Sequence, residues 1–239
     1  MPACTFLLKW GVPFGTVDGE LYDPVGVAAD GSGNVYVADA YNSRIQRFDA
    51  NGTVLAAWGG FGSGDGQFAS PYGVATDGSG NVYVADTGNN RIQKFDANGT
   101  FLTAWGSYGS GDGQFGYPHG VATDASGNVY VADTYNHRIQ QFDANGTFLT
   151  AWGSQGSGDG QFASPWGVAT DGSGNVYVAD TGNHRIQMFD ASGTFLATWG
   201  SEGSSDGQFE RPTGVVIDGG GNVYVADTGN HRIQKFACP

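Results

Sequence analysis

Asn136-His137-Arg138, Asn183-His184-Arg185 and Asn230-His231-Arg232 place three imidazoles at identical 47-residue intervals. Three imidazoles can build a zinc centre only if their nitrogens converge at about 2 Å on one point. Carboxylates recur at the same interval. Asp30, Asp77, Asp124, Asp171 and Asp218 form one set, and Asp18, Asp65, Asp112, Asp159 and Asp206 another. Gathered around a common axis, such a set could hold a hard cation such as Ca²⁺, although the surrounding DGSGN lacks the twelve-residue calcium loop with its closing glutamate. Asp39, Asp86, Asp133, Asp180 and Asp227 each stand five residues before an arginine, namely Arg44, Arg91, Arg138, Arg185 and Arg232. That spacing suits a bidentate ion pair across a hairpin. No serine or cysteine has a recognisable base to activate it. The glycine-rich turns match neither a phosphate-binding loop nor a dinucleotide fingerprint, because no helix follows them.

The elements that must position these groups are short strands. Leading prolines fall at Pro24, Pro71, Pro118, Pro165 and Pro212, each 47 residues after the last. Within each unit GVAT predicts strand a, NVYVAD strand b, RIQxF strand c and TFLTAW strand d. The alternation in VYVA and FLTAW has the two-residue period of strands, and Asn-Gly and Asp-Gly supply the positive φ that tight hairpins need. Four strands in a unit of this length predict a β-propeller blade. Composition agrees, with 42 glycines in 239 residues and 15 Phe, 11 Tyr and 6 Trp. The repeat divides the chain, as a single domain, into blades at 24–70, 71–117, 118–164 and 165–211. A last blade joins 212–239 to 1–23.

That last blade stops after strand c, at Phe236. The N-terminal TFLLKWG, Thr5–Gly11, matches the strand-d sequence TFLTAWG of Thr100–Gly106. The expected fold is therefore all-β: a five-bladed propeller of four-stranded antiparallel blades, its ring closed by the N-terminal strand completing the last blade. Closure of this kind removes free sheet edges. The same registry sets Cys4 and Cys238 across one tight turn, with Cα atoms expected about 5–7 Å apart, within disulfide reach. Sealing so long a loop would stabilise by about 5 kcal/mol on chain-entropy grounds. Such a bond would place the chain in an extracellular or periplasmic compartment. The opening MPACTFLLKWG lacks a signal peptide's layout, and no apolar run is long enough for a membrane helix.

GNVYVADTGNHRIQ resembles the NHL repeat, named for an Asn-His-Leu triplet. Here arginine replaces the leucine, and two copies depart further, as Asn89-Asn90-Arg91 and Asn42-Ser43-Arg44. The resemblance covers essentially the whole chain and implies a propeller. Family members typically have six blades, against five here. Some bind RNA on a basic face, and one is a zinc-dependent lyase whose converging histidines have no counterpart here. With 23 acidic and 10 basic residues, net charge −13, and five arginines committed to aspartates, this chain assembles no basic face. Nucleic acid and anionic membranes are therefore not expected partners. Equivalent points in neighbouring blades should lie about 10 Å or more apart, so His137, His184 and His231 are expected to serve the hairpin, with no shared metal. The aspartates after strand a are expected to bond within their own turns, the alternative being a cation ring at the channel.

The copies differ mainly on one face. After each leading proline stand Val25, Tyr72, His119, Trp166 and Thr213; nearby loops carry Tyr41, Tyr108, Tyr117 and Tyr135. In antiparallel blades the d–a and b–c connections emerge together, so these nine residues mark a candidate ligand-binding face around the channel mouth. The DGSGN and DANG turns on the opposite face are nearly constant, and the Asn-Gly-Thr triplets at Asn51, Asn98 and Asn145 read as turn chemistry. The expectation is a non-enzymatic, monomeric binding scaffold without a cofactor, engaging a protein, peptide or small molecule. Its near-identical copies fit a recently amplified or engineered repeat. The alternative is a calcium- or zinc-dependent hydrolase or lyase with its site in the central channel.

Overall fold

A computed structural model of the chain describes residues 8–11 and 14–237. Blade 1 comprises β1 (Pro24–Ala29), β2 (Val35–Asp39), β3 (Arg44–Phe48) and β4 (Val54–Gly59). Blade 2 holds β5 (Pro71–Thr76), β6 (Val82–Asp86), β7 (Arg91–Phe95) and β8 (Phe101–Trp105). Blade 3 is built from β9 (Pro118–Thr123), β10 (Val129–Asp133), β11 (Arg138–Phe142) and β12 (Phe148–Trp152). Blade 4 contains β13 (Pro165–Thr170), β14 (Val176–Asp180), β15 (Arg185–Phe189) and β16 (Phe195–Trp199). Blade 5 has β17 (Pro212–Ile217), β18 (Asn222–Asp227) and β19 (Arg232–Ala237). Each sheet pairs its strands in chain order, antiparallel throughout. This is the propeller the repeat predicts.

Blades stack through layers of alternating side chains. β6, β10 and β14 are buried along their whole length because each faces a neighbouring sheet on both sides. Tryptophan from strand d of one blade lies on the next: Trp58 meets Phe95 at 5.8 Å, Trp105 meets Phe142 at 5.7 Å and Trp152 meets Phe189 at 5.8 Å. The facing turn must be glycine. Gly99 has φ +86°, and a Cβ there would stand 2.5 Å from the Trp58 ring.

Four hydrophobic clusters join blades 1–2, 2–3, 3–4 and 4–5. The seam between blades 5 and 1 is built differently. Val27 of β1 is 69% exposed, whereas its equivalents Val74, Val121, Val168 and Val215 are 5–7% exposed. On the other side Ile233 is 66% exposed, whereas Ile45, Ile92, Ile139 and Ile186 are at 0%. Of the expected closing strand, Thr5–Leu7 lie outside the described residues, as do Cys4 and Cys238. Leu8–Gly11 form no strand, leaving blade 5 three-stranded among the described residues. Trp10 nevertheless sits 6.0 Å from Phe48, the same relation that Trp58 has to Phe95. It covers only the outer part of blade 1's free face.

Candidate functional site

The recurring Asn-x-Arg motif is structural. Asp86 is fully buried and accepts from the Ala69 N–H at 2.8 Å, from Asn89 at 2.9 Å, from Arg91 Nε at 2.8 Å and from Gln93 at 3.0 Å. The ion pair is single, not the bidentate fork the spacing suggests. Arg91 Nη2 turns instead to the Gly64 and Gln67 carbonyls, and Asn89 to the Gly62 carbonyl. The motif thereby clamps each d–a loop onto the following b–c hairpin. At Asp227 burial opposes ionisation, but donors from Glu210, Arg232, Asn230 and Gln234 outweigh it and lower the pKa.

The histidines of the motif occupy the left-handed residue that ends this hairpin, with φ 53° at His137, 55° at His184 and 55° at His231. Asn90 and Ser43 take the same conformation. His137 Nδ1 accepts the Ser164 N–H, in the loop that leads into the next blade, at 3.0 Å, and His184 Nδ1 accepts the N–H of Arg211, in the equivalent loop, at 3.2 Å. Asn90 Oδ1 does the same for Tyr117 at 2.8 Å. These side chains tie blade to blade.

The aspartates after strand a cap their own turns. Asp77 Oδ1 accepts the Ser79 and Asn81 N–H groups, each at 2.9 Å, and Oδ2 accepts from Asn81 at 2.7 Å and the Tyr83 hydroxyl at 3.0 Å. Asp30, Asp124, Asp171 and Asp218 repeat the pattern. Bonding to Asn222 holds the Asp218 carboxyl down to about 2. Both oxygens are engaged, and among the described residues no group of three or more His, Cys, Asp or Glu is placed to hold a metal ion.

The nine residues of the variable face separate into distinct groups. Tyr72, His119 and Trp166 open strands β5, β9 and β13 and form a continuous arc at the channel mouth. Ring centroids are 5.1 Å apart for Tyr72–His119 and 4.8 Å for His119–Trp166. His119 Nδ1 lies 2.9 Å from the Tyr117 carbonyl and 2.9 Å from Thr134 Oγ1. Thr134 donates its own hydrogen to the Pro165 carbonyl at 2.8 Å, so Nδ1 is the donor and Nε2 is left as an acceptor. Burial pushes the His119 pKa down to about 4, keeping the ring neutral at ordinary pH. Thr213 continues the rim, its hydroxyl 2.6 Å from that of Thr228. Val25, 51% exposed, stands beyond the seam.

Farther out, Tyr117 packs on Tyr135 at 4.9 Å and Tyr41 stacks on Tyr22 at 3.8 Å, with Phe14 edge-on to Tyr22 at 5.4 Å. Tyr108 is exposed and makes no ring contact among the described residues. Sequence reasoning omitted Tyr22 and Thr134 from the site. The first is found from the Tyr41 N–H to Tyr22 carbonyl bond, which makes the two positions neighbours; nothing in the sequence marks the second. Below the mouth β1, β5, β9, β13 and β17 enclose a channel of about 840 Å³ lined mostly by Val, Ala, Gly and Thr. It reaches Tyr224, Ala226 and Ile233 on blade 5's free face, so it also opens sideways at the seam.

Sheets radiating around such a channel define a β-propeller. The NHL repeat family matches residues 21–48, 68–95, 115–142, 162–189 and 209–236, and the chain belongs to this family. A search of curated proteins returned no match. Among solved structures the chain is similar to one in a nidogen/laminin complex, with TM-score 0.67, 22% identity, and coverage of 90% of this chain and 75% of that one. It also resembles a streptogramin B lyase, with TM-score 0.66, 16% identity and coverage of 90% and 69%. A catalytically inactive virginiamycin B lyase from Staphylococcus aureus with quinupristin gives TM-score 0.65, 14% identity and coverage of 89% and 69%. At these identities the likeness concerns the fold.

Proposed function

We propose that this NHL propeller is a non-enzymatic binding module that presents its d–a/b–c face, with the ligand seated on Tyr72, His119 and Trp166. One observation carries this reading. The positions at which otherwise near-identical blades differ bring three aromatic rings into contact at the channel mouth, while the opposite face repeats two turns, DGSGN and DANG, with little change. Aromatic surface beside a few fixed polar groups is the ordinary make-up of a ligand seat. A structural neighbour taken from a nidogen/laminin complex is in keeping with a recognition role. The lyase neighbours favour an enzymatic reading, with chemistry in the channel. Against it, the channel wall is chiefly Val, Ala and Gly, with threonines such as Thr123 and Thr170 already donating to carbonyls of the preceding blade.

A ligand screen comparing the protein with Trp166→Ala tests the site. Ligands of the proposed seat should lose at least about tenfold in affinity; ligands that bind both proteins equally would remove it. Elemental analysis tests the enzymatic reading, which a stoichiometric, tightly held transition metal would restore.

A further inference from the structure

The binding face has a charge as well as a shape. Each d–a loop carries an exposed aspartate, and Asp65, Asp112, Asp159 and Asp206 make no salt bridge among the described residues. Basic groups cannot offset them. Arg44, Arg91, Arg138, Arg185 and Arg232 are fixed on the buried aspartates. Arg47 and Lys94 reach the carbonyls of Ala97 and Ala144 in turns of the opposite face. Arg211 is the remaining basic residue in these loops. The face is therefore acidic around an aromatic centre, and both features attract cations: the aspartates at long range, the ring faces at contact. His119 adds an acceptor, Nε2, on the channel-lining ring.

The aromatic surface is longer than one side chain. A second aromatic pair on the same face is formed by Tyr117 and Tyr135, 4.9 Å apart and 42% and 63% exposed, and the Tyr117 carbonyl accepts from His119 Nδ1. The face thus presents two aromatic groups, one on the channel lining and one in the loops beside it.

We propose that this face recognises an extended basic peptide segment, one cationic side chain resting on the Tyr72–His119–Trp166 arc and the chain following Tyr117 and Tyr135 outward between the loop aspartates. The proposal rests on the seat described above and names the chemistry that fills it. An anionic ligand would face uncompensated carboxylates, and a neutral one would gain nothing from them.

The test uses an end-blocked peptide of alternating glycine and lysine, its glutamine counterpart, and calorimetry on the full chain at low and at raised salt. The lysine peptide should bind and weaken as salt rises, and the glutamine peptide should bind at least about tenfold more weakly. Trp166→Ala should lose at least about tenfold, while Trp166→Phe, which keeps a ring, should recover much of the loss. Equal binding of both peptides with loss in Trp166→Ala would leave the seat standing and overturn its cationic character. Binding of the lysine peptide that is unchanged by Trp166→Ala would overturn both. Absence of lysine-peptide binding to the wild-type chain would overturn the peptide proposal.

Discussion

His119 and His184 carry the same side chain in opposite tautomers. His184 Nδ1 accepts a backbone N–H, while His119 Nδ1 donates to a carbonyl and a threonine. The first is part of the blade joint and the second part of the mouth. Burial lowers the His119 pKa from 6.5 to about 4, and this has a consequence for stability. Between those values the unfolded chain binds a proton that the folded one refuses. The contribution is therefore fully present above about 6.5 and is lost as pH falls toward 4. His119→Phe keeps a ring and removes this titration. Denaturation midpoints should fall between pH 6.5 and 4 more steeply for the wild type than for the variant; parallel curves would refute the assignment. Turn carboxylates such as Asp190 and Asp218, held down to about 2, act in a separate window below about 3.8.

At the level of the hairpin, the triplet histidine is retained for its backbone conformation and one hydrogen bond. Asparagine at position 90 meets both needs with φ 54°. His184→Asn should thus shift stability by no more than about 0.5 kcal/mol. His184→Val puts a β-branched residue at positive φ and leaves the Arg211 N–H without its partner, which should cost about 2 kcal/mol or more in chemical denaturation. Equal costs for the two substitutions would contradict this account. Much of this was readable from the sequence. The prolines, the Asn-Gly turns and the five-residue Asp–Arg spacing give strand order and the buried ion pairs directly. Left-handed geometry was not, because φ at a histidine is set by the hairpin it closes. Nor was the His119 tautomer, which depends on Thr134 having already spent its hydrogen on Pro165.

Across the whole molecule the repeat encodes five equivalent interfaces, and the structure builds four of them alike. Ile186 and Ile233 stand at the same repeat position, at 0% and 66% exposure. The repeat alone does not separate them, since the difference lies in what faces each: blade 5 covers Ile186, and among the described residues no blade packs on Ile233 in the same way. Ile186→Ala should cost about 2–5 kcal/mol, as for a buried core residue, and Ile233→Ala less than about 1 kcal/mol. A similar loss at both would mean that the seam packs like the other joints. The copies themselves differ on another plan: the faces between blades vary little, with strand-c exceptions such as Lys94, Gln141 and Met188, and most large changes fall at the mouth and its outer loops. The most direct test of that division is the set of indole N–H resonances during titration with the lysine peptide. Of six tryptophans, Trp58, Trp105, Trp152 and Trp199 lie between blades with buried indole nitrogens, Trp10 lies on blade 1, and Trp166 lies in the mouth. Trp166 should shift strongly with the other five unmoved; a shift confined to the other five, or none at Trp166, would contradict this.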